Sequence, residues 1–129
     1  AGGDELVPVY QATCGAARRV WARDHRDLVV RYIAAYVEAT RWCFEPQNRN
    51  RCVALLARHH TLDRTRADKT LRALLDPVSG LYPAAAVNLP GIETVLALRA
   101  ERGYLALPLP PAEKYVDLSY YRQALESAP

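Results

Sequence analysis

The chain has 129 residues and a mass of 14.4 kDa, with 50% hydrophobic and 24% charged side chains, a composition that fits one ordinary folded domain and excludes extended disorder. Seventeen basic against fourteen acidic residues leave a net charge of +3, too slight a bias to imply a nucleic-acid partner without a concentrated patch. No run reaches the ~18 apolar residues of a membrane span, and the amino terminus lacks a basic stretch followed by an apolar one.

Residues 6–13, LVPVYQAT, make the best strand in the sequence, since Val7, Val9, Tyr10 and Thr13 are β-branched or aromatic, and Pro8 confines it to a sheet edge. A lone strand leaves its backbone groups unpaired. The only other strand-like stretch is the weak YLAL at 104–107, so the partner strand is expected in a second copy of the chain or in sequence outside it. Ala1, standing where an initiator methionine is usual, reads as the start of a processed or shortened chain.

Residues 14–25 read as a helix, and residues 26–46 are the longest periodic stretch. There Val29, Ile33, Tyr36, Thr40 and Cys43 recur on one side, with Tyr32 and Ala39 beside them, while Arg31, Glu38 and Arg41 fall away. Asp27 is the expected N-cap and Pro46 the stop. Asn48 and Asp63 are expected to cap two shorter helices. The first, over 48–60, places Cys52, Leu55, Leu56 and His59 on its inner face; the second, over 63–75, places Ala67, Leu71, Leu74 and Leu75 there.

Three prolines and two glycines between 76 and 91 predict a connector with one helical turn at 84–87. A helix then runs to Gly103 as its C-cap. The proline-rich stretch 107–115 predicts a strap that buries Leu107 and Leu109, and a last helix occupies 119–126.

Chemistry-bearing patterns are sparse. His59 and His60 are adjacent, so a helix separates them by about 100° and they do not converge on one metal, and His25 is remote. Glu113 and Asp117 read as a solvated face. Arg19, Arg23 and Arg26 line up on a helix, but Asp24 and Asp27 offset them, and no nucleic-acid partner is expected. No nucleophile stands with a base and no phosphate-binding loop is present, so neither a catalytic residue nor a cofactor nor a metal is expected, and the chain reads as a non-enzyme. The three cysteines, Cys14, Cys43 and Cys52, form no CxxC pair and read as reduced core thiols, with a Cys43–Cys52 bridge across a helix-to-helix turn left open. Tyr115, Tyr120 and Tyr121 cluster near Lys114 and Asp117, suited to the edge of a core or interface.

Three stretches carry a family resemblance: VYQATCGAARRVWARDHRDLVVRYIAAYVEATRWCFEPQNR, DPVSGLYPAAAVNLPGIETVLALRAERG and PPAEKYVDLSYYRQAL. Together they resemble the carboxy-terminal part of periplasmic substrate-binding proteins of ABC importers, in the nitrate/sulfonate/taurine branch that also includes thiamine-pyrimidine synthase-like proteins. The resemblance implies a mainly α-helical segment of an α/β periplasmic-binding-protein fold of type II, with five or six helices and one or two short strands. Residues 1–13 would form a strand segment beside the hinge and 14–129 the helical portion of a single compact unit.

It further implies capture of a small organic or anionic solute for a membrane permease, a periplasmic location, and a missing amino-terminal lobe. Tyr10, Gln11 and Thr13 would border the ligand cleft, although Cys14 departs from the aliphatic residue expected there. Two other readings stand beside it. One is a helical interaction module that self-associates through residues 6–13 without binding a small molecule; the other is a thiamine-precursor biosynthesis protein, which no residue here recommends.

Overall fold

In the computed structural model, residues 9–11 and 13–127 are described. Six α-helices are found among them: α1 Arg19–Asp24, α2 Arg26–Phe44, α3 Arg49–His60, α4 Arg64–Leu74, α5 Leu89–Glu101 and α6 Ser119–Ser127, with single 3-10 turns at Pro46–Asn48, Pro83–Ala85 and Ala112–Lys114. The chain divides into two units, one made of residues up to Ala34 and from Val87 onward, the other of Ala35–Ala86.

No strand occurs among the described residues, which overturns the α/β expectation and with it the periplasmic-binding-protein resemblance. Of the segment 6–13, Leu6–Pro8 and Ala12 lie outside the described residues. Val9, Tyr10, Gln11 and Thr13 are described and none pairs as a strand. Gln11 instead engages the start of α5: its Oε1 accepts from Asn88 N at 2.9 Å. The backbone of Tyr10 and Gln11 passes so close to Gly91 that a Cβ there would lie 2.7 Å from Gln11 N and 2.9 Å from Tyr10 C. The stretch 104–107 is not a strand either. Gly103, at φ 75°, closes α5: its N–H donates to Ala100 O at 2.9 Å and that of Tyr104 to Arg99 O at 2.8 Å. These are the two bonds of a Schellman cap, so Tyr104 ends a helix rather than joining a sheet. Without a sheet there is no two-lobe α/β frame, and solute capture for an importer loses its structural basis.

The unit that contains both chain ends is held by side chains remote in sequence. Ala22 of α1, Val30 of α2 and Tyr120 and Ala124 of α6 form its core, with Val29, Ile33 and Ala34 packed against them. Arg26 stacks its guanidinium 4.4 Å from the Tyr120 ring centre and donates from Nε to Gln123 Oε1 at 2.9 Å. Arg19 Nη2 donates to Lys114 O at 2.9 Å. Leu96 of α5 and Ala112 of the third 3-10 turn are also buried. Leu107 and Leu109 remain 76% and 40% exposed, so the proline-rich strap does not bury them as expected.

The long helix forms as its periodicity predicts, but its register is rotated. Val30, Val37 and Thr40 are buried, while Tyr32 and Tyr36 are 67% and 54% exposed. Valine has no polar atom to satisfy, whereas a tyrosine hydroxyl needs a partner or water, so the valine side wins the interior. Asp27 lies inside the first turn, after Arg26 has begun the helix, and favours the positive helix end from there. Residues 14–18 precede α1 without being helical: Arg18, at ψ 128°, ends the extended approach and has no capping side-chain bond.

In the unit 35–86, α3 and α4 form an antiparallel hairpin. Thr61, in the left-handed region at φ 52°, turns the chain, and Leu62 N returns to Ala57 O at 3.0 Å. Asp63 caps α4 by accepting from Arg66 N at 2.8 Å. Cys52 and Val53 of α3 meet Ala67 and Leu71 of α4, with Trp42, Cys43, Leu56, Ala57, Leu62 and Leu75 around them. Asp68 of α4 accepts from Arg49 Nη2 of α3 and from Arg72 Nε at 2.9 Å.

Candidate functional site

A concavity with a defined chemistry lies in the unit 35–86. It is a shallow hollow of about 390 Å³ lined by Trp42, Arg51, Ala54, Leu55 and Arg58. Helical spacing assembles most of it: residues 51, 54, 55 and 58 follow the i, i+3, i+4, i+7 pattern and share one face of α3. The opposite face carries Cys52, Val53, Leu56 and Ala57 into the hairpin core. Leu55, expected on the inner face, is therefore 45% exposed and forms part of the hollow's floor, and His59 is exposed as well.

Trp42 comes from the last turn of α2 and is held by the 3-10 turn that follows. Asn48 is buried and donates from Nδ2 to Trp42 O at 3.0 Å and to Glu45 Oε2 at 2.8 Å, while Glu45 N donates to Trp42 O at 3.3 Å. Asn48, the expected cap of α3, makes no capping bond there with its side chain and instead locks the end of α2 over the start of α3. A sequence signal exists for this role: an asparagine closing a proline-started turn has both an amide donor and an acceptor to spend on local groups.

Charge separates the hollow from its surroundings. Helix α3 carries Arg49, Arg51, Arg58, His59 and His60 and no carboxylate. Two of the unit's carboxylates are committed elsewhere: Asp68 to Arg49 and Arg72, Asp63 to the α4 N-terminus and to Arg66 at 3.4 Å. The guanidinium donors of Arg72 and Arg49 hold the Asp68 carboxyl below its ordinary range. Among the described residues, Arg51 and Arg58 have no ion-pair partner. Residues 35–86 contain eight basic and five acidic side chains, and the rest of the chain nine of each, so the whole net charge of +3 belongs to this unit.

An apolar floor of indole and leucine flanked by two unpaired guanidinium groups can take a carboxylate next to an apolar side chain. Arginine binds carboxylate through a planar pair of donors, and the indole and leucine surfaces exclude water from the adjoining apolar group. The hollow is too open to enclose a small substrate, and among the described residues no group of three or more His, Cys, Asp or Glu side chains is placed to hold a metal.

The residues expected to border a ligand cleft are elsewhere. Tyr10 is half exposed, Thr13 is exposed, and Gln11 donates to Thr13 O at 2.6 Å while accepting from Asn88 N. They are neighbours on the segment that runs past the α5 N-terminus. Arg51, Arg58 and Trp42, in contrast, were not singled out by sequence reasoning. The legible signal was the i, i+7 arginine pair on a helix without acidic residues.

Comparison with protein-family models, curated proteins and solved structures finds no match to this chain.

Proposed function

We propose that the chain is a helical interaction module that self-associates, with the acidic segment Asp4-Glu5-Leu6-Val7 of one copy docking on the Trp42/Arg51/Leu55/Arg58 hollow of another. The observation that carries this reading is the pair of unpaired arginines beside an exposed apolar floor. Asp4 and Glu5 are the only adjacent carboxylates in the sequence, and two apolar side chains follow them directly. Two carboxylates match two guanidinium groups, and Leu6 and Val7 match the indole and Leu55 surfaces.

The interaction is weak by its chemistry. Rim ion pairs contribute roughly 0.2–1 kcal/mol each. Burial of Leu6 and Val7 adds roughly 3–5 kcal/mol before the cost of association is subtracted. The cost of association takes most of that sum, so a single docked segment binds no tighter than the millimolar range, and reciprocal exchange of segments between two copies strengthens it. Screening shortens the reach of the charges, so association weakens as salt rises.

Sedimentation equilibrium at low salt, carried from ~10 μM up to ~2 mM, tests it. The wild type is expected to show a concentration-dependent dimer, and Arg51→Glu/Arg58→Glu to be monomeric with unchanged helix content. A wild type that stays monomeric throughout, or a dimer indifferent to those substitutions, refutes the reading.

A further inference from the structure

We infer that Cys43 and Cys52 form a dithiol site that a low-molecular-weight disulfide converts to an intramolecular Cys43–Cys52 bond, clasping the end of α2 to the start of α3. This does not depend on the docking reading above. Cys43 lies in the last turn of α2 and Cys52 in the first turns of α3, and only a 3-10 turn separates the two helices. Cys52 is 4% exposed in the hairpin core, and Cys43, partly buried, packs against that core. Cys43 thus packs on the same small cluster that encloses the Cys52 thiol. Cys14, the third thiol, is exposed in the other unit.

Two thiols brought to one cluster across a single short turn are placed toward the steric requirement that most cysteine pairs fail, namely side chains within reach of one another. Burial, and then the adjacent Cys43, push the Cys52 thiol up to about 11, which disfavours its thiolate. The more accessible Cys43 is therefore the entry point. Its thiolate attacks one sulfur of the small disulfide, forming a mixed disulfide and releasing one thiolate, which takes up a proton. Cys52, after losing its proton, attacks Cys43 Sγ, forms the internal bond and expels the second thiolate. The protein loses two protons and two electrons; the disulfide gains them and leaves as two thiols.

The position of the pair gives the bond a consequence. Trp42 precedes Cys43 and Arg51 precedes Cys52, so the link would fix the two helices that supply the hollow's indole and its first arginine.

The test uses the full chain with Cys14→Ser, so that only the buried pair can react, and oxidised glutathione as the probe. After incubation, intact mass should fall by two hydrogens relative to the reduced protein, without a glutathione adduct. Peptide mapping without reductant should recover residues 43 and 52 in one linked species. In the same background Cys52→Ser should stop at a glutathione adduct on Cys43, and Cys52→Ala, which introduces no polar atom into the core, should do the same. A chain that carries all its thiols unchanged, or that accumulates the Cys43 adduct while Cys52 is present, overturns the inference.

Discussion

The two units of this chain are stabilised by different means. In residues 35–86 the helices α3 and α4 adjoin in sequence, turn at Thr61, and share a core built from both. In the other unit the segments that meet are far apart in the chain: α1 and the start of α2 meet α6, and Gln11 meets Asn88. The first arrangement closes short loops and relies on apolar burial. The second closes long loops, and arginine and glutamine side chains add directional bonds to a small core. Short-range helical contacts form early and cheaply, so the hairpin is the part expected to withstand loss of the rest, and core truncation rather than loss of a polar contact is what should break it.

The sharpest break of that contrast is Leu71→Ala. Leu71 is 3% exposed at the centre of the hairpin core, and removing its side chain should cost about 2–4 kcal/mol, read as a lower urea midpoint. A loss below about 1 kcal/mol would show that the hairpin is not held by this core. Arg26→Ala probes the other unit. It removes the Tyr120 stack and the bonds to Gln123 and Ser119, and should cost about 1–2 kcal/mol because Arg26 itself is exposed. Its hydrogen-exchange effect should fall on α6 and leave α3 and α4 unchanged. Asp63→Ala deletes the one side-chain cap of α4 and should lower stability by about 1 kcal/mol, with Asp63→Asn recovering most of it.

The remaining effects are those of pH, and both fall on the hairpin. The Asp68 carboxyl is held below its ordinary range by Arg72 and Arg49, so its contribution is present above the unfolded value near ~3.9 and is lost as pH falls through the folded one. Cys52 titrates in the opposite sense. Its thiol is raised from 9.0 to about 11, so the folded state holds a proton that the unfolded state has lost between those values, and stability declines as pH rises through that window. Denaturant midpoints measured across pH should therefore fall at both ends, with the alkaline fall absent in Cys52→Ala.

Much of the helix framework was legible because its signals are local. Asp63 as a cap, Gly103 at the end of α5, and the extents of α2 and α4 follow from residues within a turn or two of each boundary. The sheet expectation failed for a related reason. Val9 and Tyr10 have strand propensity, but propensity on a short segment yields to tertiary contact, and here the segment spends Gln11 on the α5 N-terminus. The resemblance compounded the error, since it supplied a sheet from outside the chain that the described residues do not contain. The rotation of α2 toward Val30 and Val37 was not legible because two adjacent stripes of that helix are apolar, and only the neighbouring segments decide which is covered. The hollow escaped notice because Trp42 reaches α3 through Asn48, whose role as a lock rather than a cap is a tertiary fact.

The most direct test of self-association is a charge exchange between two variants, followed by sedimentation. Arg51→Glu/Arg58→Glu and Asp4→Arg/Glu5→Arg should each be monomeric alone, because like charges then face one another at the hollow. Mixed in equal amounts they should form a heterodimer, since each segment again meets a hollow of opposite sign, and the complex should dissociate with rising salt. A mixture that sediments as two monomers contradicts the account.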